Sequence, residues 1–219
     1  MVEYPDRLRR LKAYEAEPIP IRLGGSATDP TLFSPFGPLI GRCRLEQPWL
    51  ELINHSADAQ VRAEQSTEFA LPEELLQLQR PAVGTLLQTL SRSIVRYVES
   101  VQGTAPSTLT FDHVWIVSQV ANTASPVHFH SGDVSGILYL KVPSLAAENP
   151  ASNYILGRRQ GQINFLHGGK QSLSRSLISF APVVGDLYLF PSWLLHGVEP
   201  FDGSGERRSL SFNVTLGDN

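Results

Sequence analysis

The chain has 219 residues, of which 42% are hydrophobic and 18% are charged, and its formal net charge at pH 7 is −3. This length suits one domain with a well-buried core. Because Lys and Arg are scattered and the sequence pI is about 6.1, the chain has no polybasic stretch, and we expect neither nucleic acid nor an acidic lipid surface to be an obligatory partner.

The N-terminal segment 1–11 carries several charges and lacks the apolar core of a signal peptide. No later run approaches the roughly 18 apolar residues of a membrane-spanning helix, so we predict a cytoplasmic protein without a membrane partner. Cys43 is the only cysteine, which excludes an intrachain disulfide and a thiolate zinc cage. Any metal must therefore be held by His and carboxylate side chains.

The region before Gly103 is predicted to be mostly helical. Segment 32–40 is rich in proline and predicts an edge strand or a loop, whose apolar edge could pair with a second copy in a homodimer. Pro48 and Pro72 each suit the first turn of a helix. A longer amphipathic helix, predicted to begin near Pro81, has apolar residues three or four positions apart: Leu86, Leu90, Ile94, Tyr97, Val98 and Val101.

After Gly103 the pattern changes to short β segments separated by Gly, Pro, Asn and Ser. We predict eight strands: 109–111, 114–120, 136–142, 153–156, 162–165, 177–180, 186–190 and 209–215. Eight short strands in this length favour a mainly β fold with flanking helices, a cupin-like double-stranded β-helix or jelly roll. We expect one domain, 1–219, in which a mostly helical extension (1–105) packs on the jelly-roll core (106–219).

The last predicted strand has two unlike faces. Alternation puts four polar residues on one face, namely Arg207, Ser209, Ser211 and Asn213. The opposite face is apolar and is expected to meet the helices. An unpaired polar group in a dry core would cost about 1 to 3 kcal/mol, so the polar face is predicted to line a wet or ligand-binding pocket.

A metal site is predicted from three histidines. His128 and His130 are two residues apart and would project to the same side of an extended segment, with Phe129 pointing into hydrophobic packing. His196 follows another strand and would bring a third imidazole. His55, His113 and His167 have no partner at a useful spacing, and we expect ordinary surface or structural roles for them.

Four sequence blocks in order resemble the iron(II)- and 2-oxoglutarate-dependent dioxygenases, especially the small bacterial and phage branch of 2OG-Fe(II) oxygenases. The resemblance runs through residues 114–214, and more weakly through 32–53. Its blocks are the Pro-x-His-x-His run at 126–130 and the segments 135–143, 185–198 and 207–213. It implies an oxidoreductase in which iron(II) accepts the 1-carboxylate and 2-oxo group of 2-oxoglutarate, uses dioxygen, and hydroxylates a C–H bond as succinate and CO2 are released.

Carried over by position, the resemblance implies that His128, His130 and His196 bind the metal and act as the catalytic centre. Arg207 would pair with the distal carboxylate of 2-oxoglutarate, with help from Ser209 and Tyr139. The alternatives are a surface ion pair between Arg207 and Glu206, and ordinary packing for Tyr139 and Ser209.

The sequence departs from the commonest family pattern at one metal ligand. Most relatives have Asp or Glu two residues after the first histidine, whereas this chain has His130. Asp133 could supply the carboxylate if the turn at Ser131 and Gly132 folds back, so it is the alternative ligand. We prefer the three-histidine set, because its spacing fits a strand without a special turn.

Two other functions are left open by the sequence. One is a cupin-like metalloenzyme that does not use 2-oxoglutarate, and the other is a catalytically inactive binding module. The specificity surface, for a small-molecule or peptide substrate, is expected on loops 28–37, 144–152 and 164–174. Trp115 and Trp193 could line a substrate pocket or fill the core, and we favour the core for both.

Overall fold

The computed structural model of the protein describes residues 31–33, 37–64, 68–80, 84–145, 160–169 and 176–217. The helices in these ranges are α1 (Gln47–Glu64), α2 (Glu73–Gln77) and α3 (Leu86–Gln102). The strands are β1 (Thr31–Phe33), β2 (Ile40–Arg44), β3 (Glu68–Ala70), β4 (Gln79–Arg80), β5 (Gly84–Thr85), β6 (Thr108–Gln119), β7 (Ser125–His128), β8 (Val134–Lys141), β9 (Ser144–Leu145), β10 (Ile163–Leu166), β11 (Leu177–Phe180), β12 (Asp186–Pro191), β13 (Leu195–Val198), β14 (Gly203–Ser204) and β15 (Arg207–Gly217). None of the described helices is long and apolar enough to cross a membrane.

Most strands form two antiparallel sheets. The large sheet has the order β1-β2-β12-β8-β15-β6-β3, and the small sheet has the order β11-β10-β13-β7. Aromatic residues from both sheets pack together in one buried cluster, so the two sheets face each other. The predicted mainly β, double-stranded β-helix fold is confirmed.

Strands from the first half of the chain complete the large sheet. β2 pairs with β12, and β3 pairs with β6, where Glu68 lies opposite Val117. The proline-rich segment predicted as an edge strand or loop contains β1, which is the outermost strand on one side. The part of the chain before residue 105 therefore contributes both helices and sheet edges.

α3 has clear start and stop signals. Thr85 accepts a hydrogen bond from the backbone N–H of Gln88, whose side chain accepts one from the Thr85 backbone N–H, which is a complete capping box. Gly103 ends the helix in the left-handed conformation, with φ of 80°. The cap at Thr85 puts the helix start later than the position near Pro81 predicted from the sequence, and residues 81–83 lie outside the described residues.

The main core lies between the helices and the outer face of the large sheet. α1 contributes Trp49, Leu50 and Ile53, and α3 contributes Leu86, Leu90, Ile94, Tyr97 and Val98. They pack against the sheet residues Leu138, Leu187, Leu189, Leu210, Phe212 and Val214. The predicted apolar face of the last strand therefore meets the helices, as expected.

A buried ion-pair network joins α1 to the start of β15. The Arg208 side chain, 1% exposed, donates to both carboxylate oxygens of Glu206 and to Asp58. Lys141 also contacts both acids. Burial alone would raise the pKa of the Glu206 carboxyl, but hydrogen bonds from Ser118 and Arg208 and the charges of Arg208 and Lys141 hold that pKa below its usual value. Glu206 thus pairs with Arg208, and the alternative ion pair with Arg207 is not formed.

The strand predictions agree with the structure in most of the described chain. Segments 109–111 and 114–120 merge into β6, and segment 177–180 coincides with β11. β2, β3, β7 and β13 are not among the eight predicted strands: β3 has only three residues, β7 contains Pro126, and β2 and β13 contain glycine. The predicted strand at 153–156 lies outside the described residues.

Replacing Gly136 with Ala should destabilise the large sheet. A Cβ at this position would overlap the ring of Phe212, which is fully buried and packs edge to face on Phe111. We expect the free energy of unfolding, measured with urea, to fall by about 1 to 3 kcal/mol. Gly169→Ala is the control, because a Cβ there meets nothing within 4 Å, and its midpoint should stay near that of the wild type. Equal midpoints for both variants would contradict the close approach of Gly136 and Phe212.

Candidate metal centre and adjoining cavity

The three predicted histidines converge on one point. β7 and β13 pair so that His128 lies opposite His196, and His130 follows two residues after His128. Ring centroids are 4.4 Å apart for His128 and His196, 4.8 Å for His128 and His130, and 5.2 Å for His130 and His196. One ring nitrogen from each lies within 4.8 Å of the others, which is close enough for one metal ion.

Backbone carbonyls orient two of the rings. His128 Nδ1 lies 2.6 Å from the Pro126 carbonyl oxygen, and His196 Nδ1 lies 2.9 Å from the Leu194 carbonyl oxygen. Because a carbonyl oxygen only accepts, each Nδ1 must carry the proton and donate it, which leaves each Nε2 with a free lone pair. A hydrogen bond of this kind to the non-ligating nitrogen is typical of metal-binding histidines.

Two of the imidazoles, those of His130 and His196, are favoured in the neutral form that binds metals. Burial lowers the pKa of His196 to about 4, with further lowering by the nearby His128 and His130 and partial compensation by the hydrogen bond to Leu194. Burial and the neighbouring His128 also lower the pKa of His130. A neutral ring offers a lone pair to a cation without first losing a proton.

The alternative ligand Asp133 points elsewhere. Its Oδ2 accepts a hydrogen bond of 2.8 Å from the backbone N–H of Leu216, and its carboxylate is not part of the histidine group. The turn at Gly132, with φ of 87°, directs the side chain toward the end of β15 instead of back to the imidazoles. The geometry therefore favours the three-histidine set.

A cavity of about 330 Å³ lies between the two sheets beside the histidines. The predicted polar face of the last strand lines it through Arg207, Ser209, Ser211 and Asn213. Tyr139, Ile137 and Phe190 form another wall. The sequence prediction that this face of β15 lines a pocket is therefore confirmed.

Arg207 and Tyr139 bring unpartnered polar atoms into the cavity. Their side chains are 3% and 1% exposed, and within the described ranges Arg207 Nη1 and the Tyr139 hydroxyl have no hydrogen-bond partner. Ser209 lies opposite Tyr139 in the adjacent strand, so the three side chains are close together. Burial raises the pKa of the Tyr139 phenol, which therefore stays protonated and able to donate.

A carboxylate is the group that fits these atoms. A buried guanidinium without a counter-ion is costly, and burial already lowers the pKa of Arg207. An anion placed against Arg207 and Tyr139 would accept from both groups and remove that cost. The residues present thus fit a metal ion at the histidines and an acid at Arg207 in the same cavity.

Gln119 lines the cavity and was not singled out from the sequence. Gln119 lies opposite Arg207 across β6 and β15, and its buried Oε1 has no partner in the part of the chain that the structure describes. Its Nε2 donates to Ser125. Two-residue alternation from Trp115 through Val117 would have placed Gln119 on the inner face, which was the available signal.

Three aromatic residues lie outside the core, contrary to the sequence predictions. Trp115 is half-buried, lines the cavity and contacts the His130 ring at a centroid distance of 5.5 Å. Trp193 is 54% exposed and contacts His167, because the turn before β13 carries it outward. Phe129 is 66% exposed, since the alternation that turns His128 and His130 inward turns Phe129 outward.

A comparison with protein families confirms the resemblance drawn from the sequence blocks. Residues 113–213 match the family described as "Putative 2OG-Fe(II) oxygenase". The matched segment runs from β6 to β15 and includes all three histidines of the cluster together with Arg207. It supports the predicted oxidoreductase class with iron(II) and 2-oxoglutarate as cofactors. A search among curated proteins found no match.

Solved structures of similar fold include several 2-oxoglutarate enzymes. HygX from Streptomyces hygroscopicus, with nickel and 2-oxoglutarate bound, has a TM-score of 0.52 at 11% identity and covers 80% of this chain and 82% of its own. The viral collagen prolyl hydroxylase vCPH from Paramecium Bursaria Chlorella virus-1, in its 2OG complex, has a TM-score of 0.51 at 13% identity and covers 82% and 96%. A prolyl hydroxylase from Trichoplax adhaerens, in complex with a hypoxia inducible factor peptide fragment, has a TM-score of 0.50 at 13% identity and covers 82% and 83%. At these identities the likeness shows the fold.

Replacing either His128 or His196, which lie opposite each other in β7 and β13, should weaken metal binding. His128→Ala and His196→Ala each leave two imidazoles, and we expect the affinity for Ni(II), measured by calorimetry, to fall by at least about tenfold. His55→Ala is the control, because His55 is exposed on α1 and lies outside the cluster. Wild-type affinity in both cluster variants would rule out this site.

The metal-free protein should lose stability as the pH falls from about 6.5 to about 4. His196 has a lower pKa in the folded state than in the unfolded chain, so the unfolded chain binds more protons in this window. The contribution of His196 to the free energy of unfolding is complete above pH 6.5. Below that pH it decreases, by at most about 3 kcal/mol, because protons bind preferentially to the unfolded chain. Urea unfolding with a chelator should show this slope, and His196→Asn, which cannot titrate, should show a shallower one. Parallel pH profiles for both proteins would contradict the prediction.

Proposed function

We propose that this chain, whose residues 113–213 match the 2OG-Fe(II) oxygenase family, is an iron(II)- and 2-oxoglutarate-dependent oxygenase that hydroxylates its substrate with release of succinate and CO2. The observation that carries the proposal is one cavity that is lined by three convergent imidazoles and by Arg207 on the inner face of β15, whose buried Nη1 has no hydrogen-bond partner among the described residues. A metal and an organic acid are both needed to satisfy that arrangement.

In this proposal the chain's own residues hold and orient the reactants. His128 and His196 bind the iron through Nε2, and His130 supplies the third imidazole nitrogen. Arg207 binds the distal carboxylate of 2-oxoglutarate, and the Tyr139 phenol and the Ser209 hydroxyl donate to the same group. Iron and the 2-oxo acid, when bound, supply the oxidising chemistry toward dioxygen, while the walls of the cavity limit access of water.

The proposed site has three neutral ligands, so its net charge is more positive than that of a site with a ligand carboxylate. Without a ligand carboxylate, the protein leaves the full charge of the ion to be balanced by other groups. The dianionic cosubstrate supplies that balance at one end and pairs with Arg207 at the other. Metal and cosubstrate are therefore expected to strengthen each other's binding.

A cupin-like metalloenzyme that does not use 2-oxoglutarate is the second candidate, and an inactive binding module is the third. The buried Nη1 of Arg207, which has no partner among the residues that the structure describes, argues against the cupin-like enzyme, because a metal site alone gives no reason to bury an uncompensated guanidinium. An inactive binding module would bind the same metal and cosubstrate as the proposed oxygenase but would not turn them over.

The proposal also covers location and assembly. A cytoplasmic location is supported by the single cysteine, Cys43, which is buried and forms no disulfide. A homodimer through the sheet edge at β1 is supported by the position of β1 as the outermost strand, whose outer backbone groups can pair with a second copy. The mass in solution, measured by light scattering, tests the dimer.

Succinate formation tests the proposed activity. Purified protein with Fe(II), ascorbate, 2-oxoglutarate and air should release succinate even without substrate, at a slow uncoupled rate. A chelator should abolish this release. Binding of Ni(II) and 2-oxoglutarate without any succinate would favour the inactive module, and binding of metal without 2-oxoglutarate would favour the cupin-like enzyme.

Arg207→Ala should weaken 2-oxoglutarate binding by roughly 100-fold while the Ni(II) affinity changes little, because the charge-assisted pair is lost at one end of the cavity only. Arg207→Lys should recover only part of the affinity, since an ammonium cannot make the bidentate contact. Arg92→Ala, at an exposed position on α3, is the matched control. Equal loss of both affinities in Arg207→Ala would mean that Arg207 supports the fold.

A further inference from the structure

β7 is the last strand of the small sheet, and its outer edge borders the opening of the cavity. The sheet order β11-β10-β13-β7 gives β7 only one neighbouring strand among the described residues. The exposed residues that line the cavity are Glu68 on β3 and Ala124 and Pro126 at the start of β7. The cavity therefore opens between β3 and β7, and a substrate that reaches the metal centre passes the free edge of β7.

The backbone of Phe129 brings unpaired hydrogen-bonding groups to this edge. The N–H of His130 donates to the Ser192 carbonyl, in the turn that leads into β13. Because successive backbone groups of an extended chain point to opposite sides, the N–H and C=O of Phe129 point away from β13. Neither group has a hydrogen-bond partner in the part of the chain that the structure describes. Both are therefore available to a second backbone.

An apolar row crosses the outer face of the small sheet at the same place. Phe129 and Leu195, which adjoin the paired histidines of β7 and β13, lie side by side. Leu195 is opposite Leu166, which in turn is opposite Leu177. Free sheet edges usually carry charged residues or other features that prevent further pairing. This edge instead presents Val127 and Phe129, which are 54% and 66% exposed.

An extended polypeptide is the ligand that fits both the edge and the apolar row. A strand added beside β7 would exchange hydrogen bonds with the Phe129 backbone, and its side chains would alternate between the two faces of the sheet. Every second side chain would lie beside Phe129 on the outer face. The side chains between them would point into the cavity, as His128 and His130 do. A small molecule bound within the cavity gives no reason for an apolar row outside it.

The charge at the opening favours a basic polypeptide. Glu68 carries the only carboxylate among the cavity-lining residues of the described ranges. It is opposite Val117 in the pairing of β3 with β6, so it lies on the wall that faces β7 across the opening. An inward side chain of the added strand would approach this carboxylate, and a Lys or Arg there would complement its charge.

We propose that the free edge of β7 binds an extended segment of a polypeptide substrate by strand addition, with apolar side chains beside Phe129 and a Lys or Arg side chain toward Glu68. The inference rests on the proposed function, since it assigns a substrate class to the same cavity. An inward side chain of the bound segment is the part of the substrate that is brought to the metal centre.

Calorimetry with the Ni(II)- and 2-oxoglutarate-loaded protein tests the proposal without turnover. The probe is an acetylated decapeptide of alternating valine and lysine. Its affinity should exceed that of the valine and glutamate analogue by roughly tenfold or more, because of the carboxylate of Glu68. Glu68→Gln should reduce this preference.

N-methylated peptides test the strand pairing. The residue opposite Phe129 shares its outer face and exchanges both hydrogen bonds with it, so the valine N–H groups of the probe point toward β7. Methylation of the valine nitrogens should abolish binding, whereas methylation of the lysine nitrogens, which point to the other side, should be tolerated. The two peptides have the same composition and charge, which makes each the control of the other.

Phe129→Ser tests the apolar contact. It should weaken binding of the valine and lysine probe by roughly tenfold, while the affinities for Ni(II) and 2-oxoglutarate are retained. Val101→Ser is the matched control, because Val101 is an apolar residue of α3 that is 41% exposed and lies outside the cavity.

Four results would overturn the inference in protein that binds Ni(II) and 2-oxoglutarate. They are no binding of the probe at about 1 mM, equal effects of the two methylation patterns, unchanged probe affinity in Phe129→Ser, and a dimer in light scattering that Phe129→Ser dissociates. The last result would assign the edge of β7 to a second copy of the chain. Absence of 2-oxoglutarate binding by the wild-type protein would instead refute the proposed function.

Discussion

The pairing of β7 with β13 is the interaction on which the candidate site depends. It places His196 directly opposite His128, and both strands are only four residues long. A shift of one residue in this pairing would turn His196 outward and Leu195 inward. The register is held from both sides, because β13 also pairs with β10 and because the Ser192 carbonyl accepts from the His130 backbone N–H. The metal centre is thus a consequence of strand register.

The two neighbouring arginines at the start of β15 point to opposite faces of the strand and have different surroundings. Arg208 faces α1 and is saturated by Glu206, Asp58 and Asn54, whereas Arg207 faces the cavity, and its buried Nη1 has no partner in the part of the chain that the structure describes. A buried cation that the fold fully compensates holds elements together. One that the fold leaves uncompensated has its natural counter-ion in a ligand. The contrast between adjacent residues of the same type supports a binding role for Arg207.

Local alternation was enough to predict most of this arrangement from the sequence. The inner face of β15 and the shared side of His128 and His130 follow from a period of two residues. The pairing of Arg208 with Asp58 could not be predicted, because Asp58 lies 150 residues away on a helix and no local pattern links the two. Trp193 and Phe129 were expected in hydrophobic packing, whereas the turn before β13 carries Trp193 outward and the alternation that turns the histidines inward turns Phe129 outward. Hydrophobic residues beside inward polar ones are therefore poor indicators of burial in such short strands.

The buried serine pair explains why polar groups are retained next to a metal centre. Ser135 and Ser192 make no contact that a pair of apolar residues could not replace for packing, and burying their hydroxyls has a desolvation cost. Their bonds have a direction, which apolar contacts lack, and that direction ends at the Asn213 amide. A fold that needed only stability at this position would not require the orientation of that amide. The polar chain therefore fixes cavity-lining side chains in position before any ligand arrives.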